Sequence, residues 1–328
     1  MSNQSDIASI QSMAEASRTI QKEISKAIIG QHDIIEQLLI ALFSRGHWLL
    51  VGVPGLAKTL LIRTLSKSLN LSYNRIQFTP DLMPSDITGT EVIEDDIASG
   101  RKQFRFVKGP IFSNIVLADE INRTPPKTQA ALLEAMQEHS VTNGGKTYRL
   151  EQPFFVLATQ NPIEQEGTYP LPEAQLDRFL FNIVIDYLPE DDEVKVVTQT
   201  TATGGGEIQP IFSGEDVLRF HRVVRKVPIA EDLARLAVRL AASSRPRTAK
   251  APDFVNQWVS WGAGLRAGQS LVLGAKARAL LKGRAHVTAE DLRALAHPVL
   301  RHRILLNYRA EAEGLNVEKV IDRLLEHV

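Results

Sequence analysis

The sequence predicts an α/β protein in which helices cover both faces of a parallel sheet, followed by a smaller all-helical domain. Two observations predict this fold class. From Trp48 to about Asp186 short apolar runs alternate with helical segments, and several runs are apolar on both faces, as strands of a covered parallel sheet are. Beyond Thr203 nearly every segment has helical periodicity, and 328 residues leave room for one large domain and one smaller one.

The predicted strands are short apolar runs, and the predicted helices have apolar residues at helical spacing or recognisable caps. In the first part of the chain one helix covers 58–68, and another begins with Thr124 as N-cap and Pro125 in its first turn. In the second part Thr288 and Asp291 form a capping-box pattern that marks a helix start. The predicted strands are 48–51, 73–78, 115–118, 154–158 and 179–185, and the predicted helices of the second part are 215–227, 231–242, 253–261, 269–282, 288–297 and 317–325.

Composition and charge exclude several classes of protein. Lysine plus arginine total 38 and aspartate plus glutamate total 38, so no net charge attracts the chain to polyanions, and we expect no specific nucleic-acid binding. The absence of cysteine excludes disulfides, thiolate zinc sites and cysteine nucleophiles. Residues 1–18 lack the pattern of a secretory signal, and no apolar run approaches the roughly 18 to 20 residues of a membrane span. We therefore expect a cytoplasmic protein without a membrane span.

The most informative segment is LLVGVPGLAKT at 49–59, where an apolar strand runs into a glycine-bearing loop and a Lys-Thr pair opens a helix. Backbone NH groups, a helix N-terminus and a lysine ammonium converge on phosphate in this arrangement. The strict pattern has glycine directly before the lysine, whereas this chain has Ala57, and an ordinary strand-to-helix turn is the alternative. The candidate nucleotide-binding residues here are Gly52, Pro54, Gly55, Leu56, Ala57, Lys58, Thr59 and Leu60.

Two acids, Asp119 and Glu120, follow the predicted strand at 115–118. The carboxyl edge of a parallel sheet is where phosphate ligands bind. Asp119 is therefore predicted to hold Mg²⁺ together with the Thr59 hydroxyl, and Glu120 to polarise the attacking water. The alternative is a solvated acidic pair that ends a strand, which the spacing from the phosphate loop makes less attractive.

Asn161 follows the strand predicted at 154–158. A neutral amide there is able to hydrogen-bond the attacking water or the γ-phosphate without competing for the proton. The alternative is a turn residue in an Asn-Pro pair, which is a common role of asparagine.

Arg178 lies just before the last predicted strand. We predict that it reaches the nucleotide of a neighbouring subunit and stabilises charge on the transferred phosphoryl group. The alternative is a surface ion pair with Asp177 inside the same chain, which would contribute little energy.

Together the motifs GVPGLAKT, IVLADEINR, ATQNP and LPEAQLDRF resemble the MoxR family of AAA+ ATPases, and the resemblance runs from about Ile28 to the C-terminus. It implies an AAA+ αβα P-loop NTPase core at 1–203, an all-helical lid at 204–328, and ATP and Mg²⁺ as cofactors. The residue before the Walker A lysine is commonly alanine in this family, so Ala57 fits it. By resemblance Lys58 and Thr59 belong to Walker A, Asp119 and Glu120 to Walker B, Asn161 is sensor 1, and Arg178 is the arginine finger.

Two further elements resemble family motifs with departures or plain alternatives. The segment GAGLRA at 262–267 resembles the sensor 2 element, usually GASPRA, and implies that the lid residue Arg266 contacts the γ-phosphate. Gly264 and Leu265 replace the Ser-Pro pair, and a solvent-facing arginine is the alternative. Gln31, in the segment IIGQ, corresponds to a family motif beside the adenine, and a simple helix-to-helix turn at Gly30 is the alternative.

Two loops resemble insertions of the clade that contains MoxR. One is a helix-2 insert at about 79–109, and the other is a hairpin at about 139–150 that precedes the sensor 1 strand. In the family such loops line or approach the central pore of a ring. The alternative is two surface excursions.

The resemblance implies an ATPase that assembles as a homo-oligomer, expected to be a hexameric ring, and acts as a chaperone that remodels or matures protein complexes. It also implies a protein client and a partner with a von Willebrand factor A domain. A metal-chelatase-type motor subunit and a nucleotide-gated scaffold with little hydrolysis are the alternatives. A DNA motor is disfavoured by the balanced charge.

Overall fold

The computed structural model describes residues 4–53, 55–96, 101–163, 167–201 and 207–328. Its helices are α1 Gln4–Ile24, α2 His32–Phe43, α3 Lys58–Ser68, α4 Pro84–Thr88, α5 Pro126–Glu138, α6 Glu173–Leu176, α7 Glu190–Thr200, α8 Gly214–Lys226, α9 Glu231–Ser243, α10 Asp253–Trp258, α11 Leu265–Leu281, α12 Ala289–Ala294, α13 Ala296–Leu300, α14 Tyr308–Ala312 and α15 Val317–His327. Its strands are β1 Trp48–Val51, β2 Tyr73–Gln77, β3 Gly89–Asp96, β4 Arg101–Lys108, β5 Ile115–Asp119, β6 Ser140–Asn143, β7 Lys146–Arg149, β8 Phe155–Gln160, β9 Phe181–Val184, β10 Val259–Trp261 and β11 Leu305–Leu306.

Five of these strands form one parallel sheet in the order β2-β5-β8-β1-β9. Because they all point the same way, β1, β5 and β8 end at one edge of the sheet, at Val51, Asp119 and Gln160. The strands that carry the predicted phosphate loop and the predicted acids are separated only by β8. The predicted fold class is confirmed, and the sheet places the predicted phosphate loop, the two acids and Asn161 along one edge.

Helices cover both faces of the sheet because successive side chains of each strand point to opposite sides. Leu50, Leu117 and Leu157 face a core that they share with α1, α2 and α3. The second core lies on the other face, where Leu49, Val116, Val156 and the α5 side chains Leu132, Leu133 and Met136 are buried.

The helical second part of the chain packs directly against the first. Helix α11 contacts α1 and α2, and its buried side chains belong to the same core as β1. Lys282 Nζ, just after α11, lies 2.7 Å from Glu36 Oε2 on α2. The boundary predicted between the two parts, at residues 203 and 204, lies outside the described residues.

One predicted helix was too long and another had the wrong start. The helix predicted at 253–261 ends at Trp258, because Val259–Trp261 pairs as β10 with β11. The helix predicted to begin with Thr124 as N-cap has Pro125 at that position and begins at Pro126. The Thr124 hydroxyl donates instead to the Thr79 carbonyl, so a contact with a distant segment replaces the predicted N-cap contact.

Two other predicted helices also differ in their bounds. Helix α11 begins at Leu265 rather than at 269, which places Arg266 in its first turn. The helix predicted at 288–297 is two short helices, α12 and α13, which meet at Leu295. The capping box of Thr288 and Asp291 is present at the start of α12.

The two predicted loop segments contain antiparallel hairpins that pack on each other. Strands β3 and β4 pair after α4, and β6 pairs with β7. The rings of Phe106 and Tyr148 stack between the hairpins with centroids 4.2 Å apart, and Asn143 Nδ2 donates to the Gly89 carbonyl at 3.1 Å. The β3–β4 tip, residues 97–100, lies outside the described residues.

Within the described part of the chain, no helix combines the length and the apolar character that crossing a bilayer requires.

Candidate nucleotide site

The predicted phosphate loop connects β1 to α3, and its backbone requires small residues. A Cβ on Gly52 would lie 2.6 Å from the Ile185 carbonyl oxygen, and Gly55 has φ +90°. Ala57 has φ 54° and ψ 24°, the left-handed conformation that glycine adopts most easily, so alanine here does what glycine does in the strict pattern. Leu56 packs against the core, whereas Pro54 lies outside the described residues.

Lys58, Thr59 and Leu60 form the first turn of α3 at the end of this loop. The Lys58 ammonium donates to the Gly52 carbonyl at 2.5 Å, so its charge lies over the loop. Burial lowers the pKa of Lys58, and the negative charges of Asp119 and Glu120 act in the opposite direction. Thr59 is half-buried, and Leu60 is exposed.

The two acids stand at the end of β5, where one hydroxyl links them. Thr159 Oγ1 donates to Asp119 Oδ1 at 2.6 Å and accepts from the Glu120 N–H at 2.8 Å. Glu120 itself has φ 57° and ψ 50°, an unusual conformation for a residue with a side chain. Thr159 therefore fixes both the carboxylate of one acid and the backbone of the other.

Two side chains of the edge strand β2, which sequence reasoning missed, hold these acids from the other side. Arg75 donates to Asp119 Oδ2 through Nε at 2.9 Å and through Nη2 at 2.7 Å. Gln77, which pairs in register with Asp119, donates to Glu120 Oε2 at 3.0 Å. The one available signal was that Arg75 and Gln77 flank the buried Ile76, so their side chains share one face of β2 next to the strand that ends in the acids.

Asn161 lies between the phosphate loop and the acids, directly after β8. It is buried, and its Oδ1 accepts from the Ile163 N–H at 3.1 Å, a turn contact of the kind expected for an Asn-Pro pair. The Gly52 N–H donates to the Gln160 carbonyl at 3.3 Å, so Asn161 is adjacent to the start of the loop. The structure thus shows the turn contact and places Asn161 at the end of the strand between β1 and β5, and its role as sensor 1 stays a prediction.

Gln31 is the N-cap residue of α2 and lies on the same edge of the sheet. The preceding Gly30 fits against Asp192 and Leu188, near the start of α7, a few residues after β9 ends. Gln31 is buried, and its Oε1 accepts no hydrogen bond from any described residue. A buried amide oxygen without a donor fits an adenine amino group.

The chemistry of this edge also fits a nucleotide with a divalent cation. The Thr59 hydroxyl and the Asp119 carboxylate are hard oxygen ligands of the kind that Mg²⁺ prefers. Lys58 and the N-terminus of α3 supply positive charge for phosphate oxygens.

The two predicted catalytic arginines lie at the opposite edge of the sheet. Arg178 precedes β9, and the nearby Leu180 N–H donates to the His47 carbonyl, which precedes β1. Arg178 and Arg266 line one cavity of about 280 Å³. Because β1 separates this cavity from Gly52 by about 13 Å of strand, the structure does not bring Arg266 to the phosphate loop of its own chain.

Asp177 does not form the ion pair with Arg178 that was the alternative to a finger role. Its carboxylate instead lies 2.7 Å from Arg303 Nε and 3.5 Å from Arg266 Nη1. Among the described residues no carboxylate pairs with Arg178. Sequence reasoning missed Arg303, and no local pattern could have found it.

A strand-loop-helix phosphate loop, acids two strands away on one parallel sheet, and a packed helical lid define an ATPase of the AAA class. Comparisons with known proteins agree with this class. The model of the ATPase family associated with various cellular activities (AAA) matches residues 47–181, and the model of the AAA lid domain matches residues 255–324.

Relatives that match over most of their length show the family. The chain is 42% identical over 306 residues to the chaperone MoxR1 of Mycobacterium tuberculosis, across 93% of this chain and 80% of that protein. It is 41% identical to the uncharacterized protein YeaC of Bacillus subtilis, across 94% of this chain and 92% of that protein. A solved structure of a candidate ATPase from Cytophaga hutchinsonii superposes with a TM-score of 0.90 at 43% identity, across 98% of this chain and 96% of that one. The chain belongs to the MoxR family of AAA ATPases.

Proposed function

We propose that this protein hydrolyses ATP to ADP and phosphate at the junctions between subunits of a ring, and that this cycle remodels or matures protein complexes. One observation carries the proposal. The phosphate loop and the acids occupy one edge of the sheet, whereas Arg178 and Arg266 line a cavity at the opposite edge. A head-to-tail contact between two copies joins the two halves into one site, and contacts of this kind close into rings.

The residues of the loop edge have distinct roles in this proposal. Gly52, Gly55, Leu56, Ala57 and Leu60 shape the loop and the first helical turn around the phosphates, and the Lys58 ammonium contacts the β- and γ-phosphates. The base lies beside Gln31. Thr59 and Asp119 hold Mg²⁺, which neutralises phosphate charge when it is bound. Pro54 remains a sequence-based candidate in the same loop.

Glu120 and Asn161 act on the attacking water. The Glu120 carboxylate accepts a proton from this water as its oxygen approaches the γ-phosphorus, and the bond to the leaving ADP oxygen breaks. Asn161 Nδ2 donates to the water or to the γ-phosphate and thereby orients them. The neighbour's Arg178 and Arg266 stabilise the negative charge that develops on the transferred group.

Two substitutions test this mechanism by separating binding from turnover. Lys58→Ala is expected to abolish nucleotide binding, and Glu120→Gln to retain binding while phosphate release falls by about 100-fold or more. Binding of a fluorescent nucleotide and release of phosphate measure the two effects. Glu134→Gln, on the exposed face of α5, is the matched control and is expected to behave as wild type. Wild-type phosphate release from the Glu120→Gln variant would refute the mechanism.

The assembly, the partners and the location follow from the family and remain predictions. We expect a hexamer in the presence of ATP, a partner with a von Willebrand factor A domain, a protein client, and a cytoplasmic location. The Glu120→Gln variant held in its ATP state is the appropriate bait for the partner and the client. Mass measurement of the same variant with and without ATP determines the size of the ring.

A further inference from the structure

Arg303 is the most deeply buried arginine at the arginine-bearing edge of the sheet. It follows α13 in the lid, and only 3% of its side chain is exposed. Burial of a guanidinium is costly unless its donors are satisfied. The hydrogen-bond acceptors of Arg303 therefore indicate which part of the chain its burial holds in place.

Those partners lie on both sides of Arg178. Arg303 Nη2 donates to the Phe179 carbonyl at 2.7 Å and to the Asp177 carbonyl at 3.3 Å, and Nη1 donates to the Leu180 carbonyl at 3.3 Å. Nε donates to Asp177 Oδ1 at 2.7 Å. One lid side chain thus holds the backbone immediately before and after the predicted finger.

Asp177 also connects Arg303 with Arg266. Asp177 Oδ2 lies 3.5 Å from Arg266 Nη1, while Asp177 Oδ1 accepts from Arg303. Arg266 is half-exposed, and Arg178 is partly exposed and has no carboxylate partner among the described residues. Both line the same cavity, which a neighbouring molecule would have to enter to contact them. Arg303, in contrast, is fully occupied within its own chain.

We propose that Arg303 is a positioning residue for the ATPase site of the neighbouring subunit: it fixes the turn that presents Arg178 and, through Asp177, the position of Arg266. This inference rests on the proposed function, in which both arginines act on the neighbour's nucleotide. Displacing a catalytic group by about 1 Å costs on the order of 100-fold in rate, and a lysine cannot reproduce the fork of donors that holds this turn.

The first test is the effect of Arg303→Lys on binding and turnover. Nucleotide affinity is expected to stay within about twofold of wild type, because the phosphate loop and the acids of the same subunit are intact. The value of kcat is expected to fall by about 10- to 100-fold, because the two arginines are displaced. Asp177→Asn is the second variant, since it keeps every backbone carbonyl and loses only the carboxylate charge; it is expected to lower kcat in the same way. Wild-type kcat in both variants would overturn the proposal.

The decisive test mixes an inactive subunit, Lys58→Ala, with the impaired subunit Arg303→Lys. Lys58→Ala does not bind nucleotide but keeps Arg178 and Arg266 in place. Arg303→Lys keeps the nucleotide loop, but the positions of Arg178 and Arg266 are disturbed. Random mixing at equal ratio makes about one junction in four complete, so turnover is expected to rise well above the sum of the separate proteins. A merely structural role of Arg303 would not produce this recovery. Asp177→Asn is mixed in the same way, and it carries the test if Arg303→Lys fails to fold.

Arg178→Ala mixed with Lys58→Ala is the control that separates the junction site from the positioning role of Arg303. Recovery with Arg178→Ala but not with Arg303→Lys or Asp177→Asn would overturn the positioning role and leave the proposed junction site intact. Absence of recovery with Arg178→Ala would refute the junction site itself. Recovery in all of these mixtures is the expected result.

Discussion

Arg75 Nη2 lies 2.7 Å from Asp119 Oδ2, so a cation of the neighbouring strand already neutralises the carboxylate that we assign to Mg²⁺. The other oxygen of Asp119 accepts from Thr159. Mg²⁺ held by Thr59 and Asp119 would therefore bind a carboxylate whose charge Arg75 already partly compensates, so the two cations would overlap in their effect on Asp119.

Arg75→Gln is expected to destabilise the protein chiefly when nucleotide and Mg²⁺ are omitted. Loss of a half-exposed ion pair to a mostly buried carboxylate costs about 1 kcal/mol, or about 2 °C in Tm for a chain of this size. Mg²⁺ and ATP should reduce the difference, because the metal restores positive charge beside Asp119. Thermal unfolding with and without Mg·ATP, in the Glu120→Gln background, measures both values.

The control for Arg75 is Arg235→Gln, which removes an exposed pair with Glu231 on α9. It is expected to leave Tm unchanged within error in both conditions. An Arg75→Gln deficit of the same size with and without Mg·ATP would contradict the shared use of Asp119.

Thr159→Val should impair both acids at once. Valine has the shape of threonine but lacks the hydroxyl, so the Glu120 N–H loses its acceptor and Asp119 loses a donor. An unsatisfied buried donor costs about 1 to 3 kcal/mol, and we expect turnover to fall by about 10-fold or more. Phosphate release and chemical denaturation measure these effects; Thr159→Ser should restore most of each. Thr142→Val, at an exposed position of β6, is the matched control, and equal effects of the two valines would contradict this role.

Substitutions of Ala57 should follow backbone conformation rather than side-chain size alone. Glycine adopts φ near 54° freely, so Ala57→Gly is expected to bind nucleotide within about threefold of wild type. Valine is strongly disfavoured there, and Ala57→Val is expected to weaken binding by about 10-fold or more. Ala230→Val is the control, because Ala230 is also a helix N-cap but has extended backbone at φ −68°. Equal affinity of the two Ala57 variants would show that the conformation is unimportant.

The stability of the protein is expected to fall as pH drops from about 6.5 towards 4. The pKa of His47 is lowered to about 4, chiefly by burial; the Met136 carbonyl acts in the opposite direction, and the charges of His139 and Arg45 add to the lowering. His47 Nδ1 accepts from the Val156 N–H, so a proton at Nδ1 would break that bond. In this pH range His47 binds the proton in the unfolded chain and not in the folded chain, so this one histidine makes stability rise with pH by up to about 1.4 kcal/mol per unit.

Denaturation curves between pH 4 and pH 7 measure this slope. His47→Gln should reduce it without abolishing it, because burial also lowers the pKa of His221 to about 4. His286→Gln, at an exposed position, is the control and should keep the wild-type slope. An unchanged slope in His47→Gln would contradict the assignment to this histidine.

The sequence predicted the fold class because runs that are apolar on both faces fit a covered parallel sheet and few other structures. It also predicted which residues gather at the loop edge, since parallel strands end at the same edge and local motifs mark those ends. Asp119, Glu120 and Asn161 follow from this rule. Helix bounds were less predictable where a tertiary contact replaced a local one. The Thr124 hydroxyl, for example, bonds the Thr79 carbonyl instead of capping α5.

Contacts between distant segments decided the rest. Arg75 is 44 residues from Asp119, and Arg303 is 126 residues from Asp177, so no local pattern reveals either pair. The edge of the sheet at which Arg266 lies was likewise set by the packing of α11 against α1 and α2. The sequence by itself determined the sheet, the phosphate loop and the identity of the acids, because periodicity and short motifs specify them. Only the tertiary structure decided which cation and which amide hold those acids and that the two predicted catalytic arginines lie away from their own phosphate loop, because both depend on how separate elements pack.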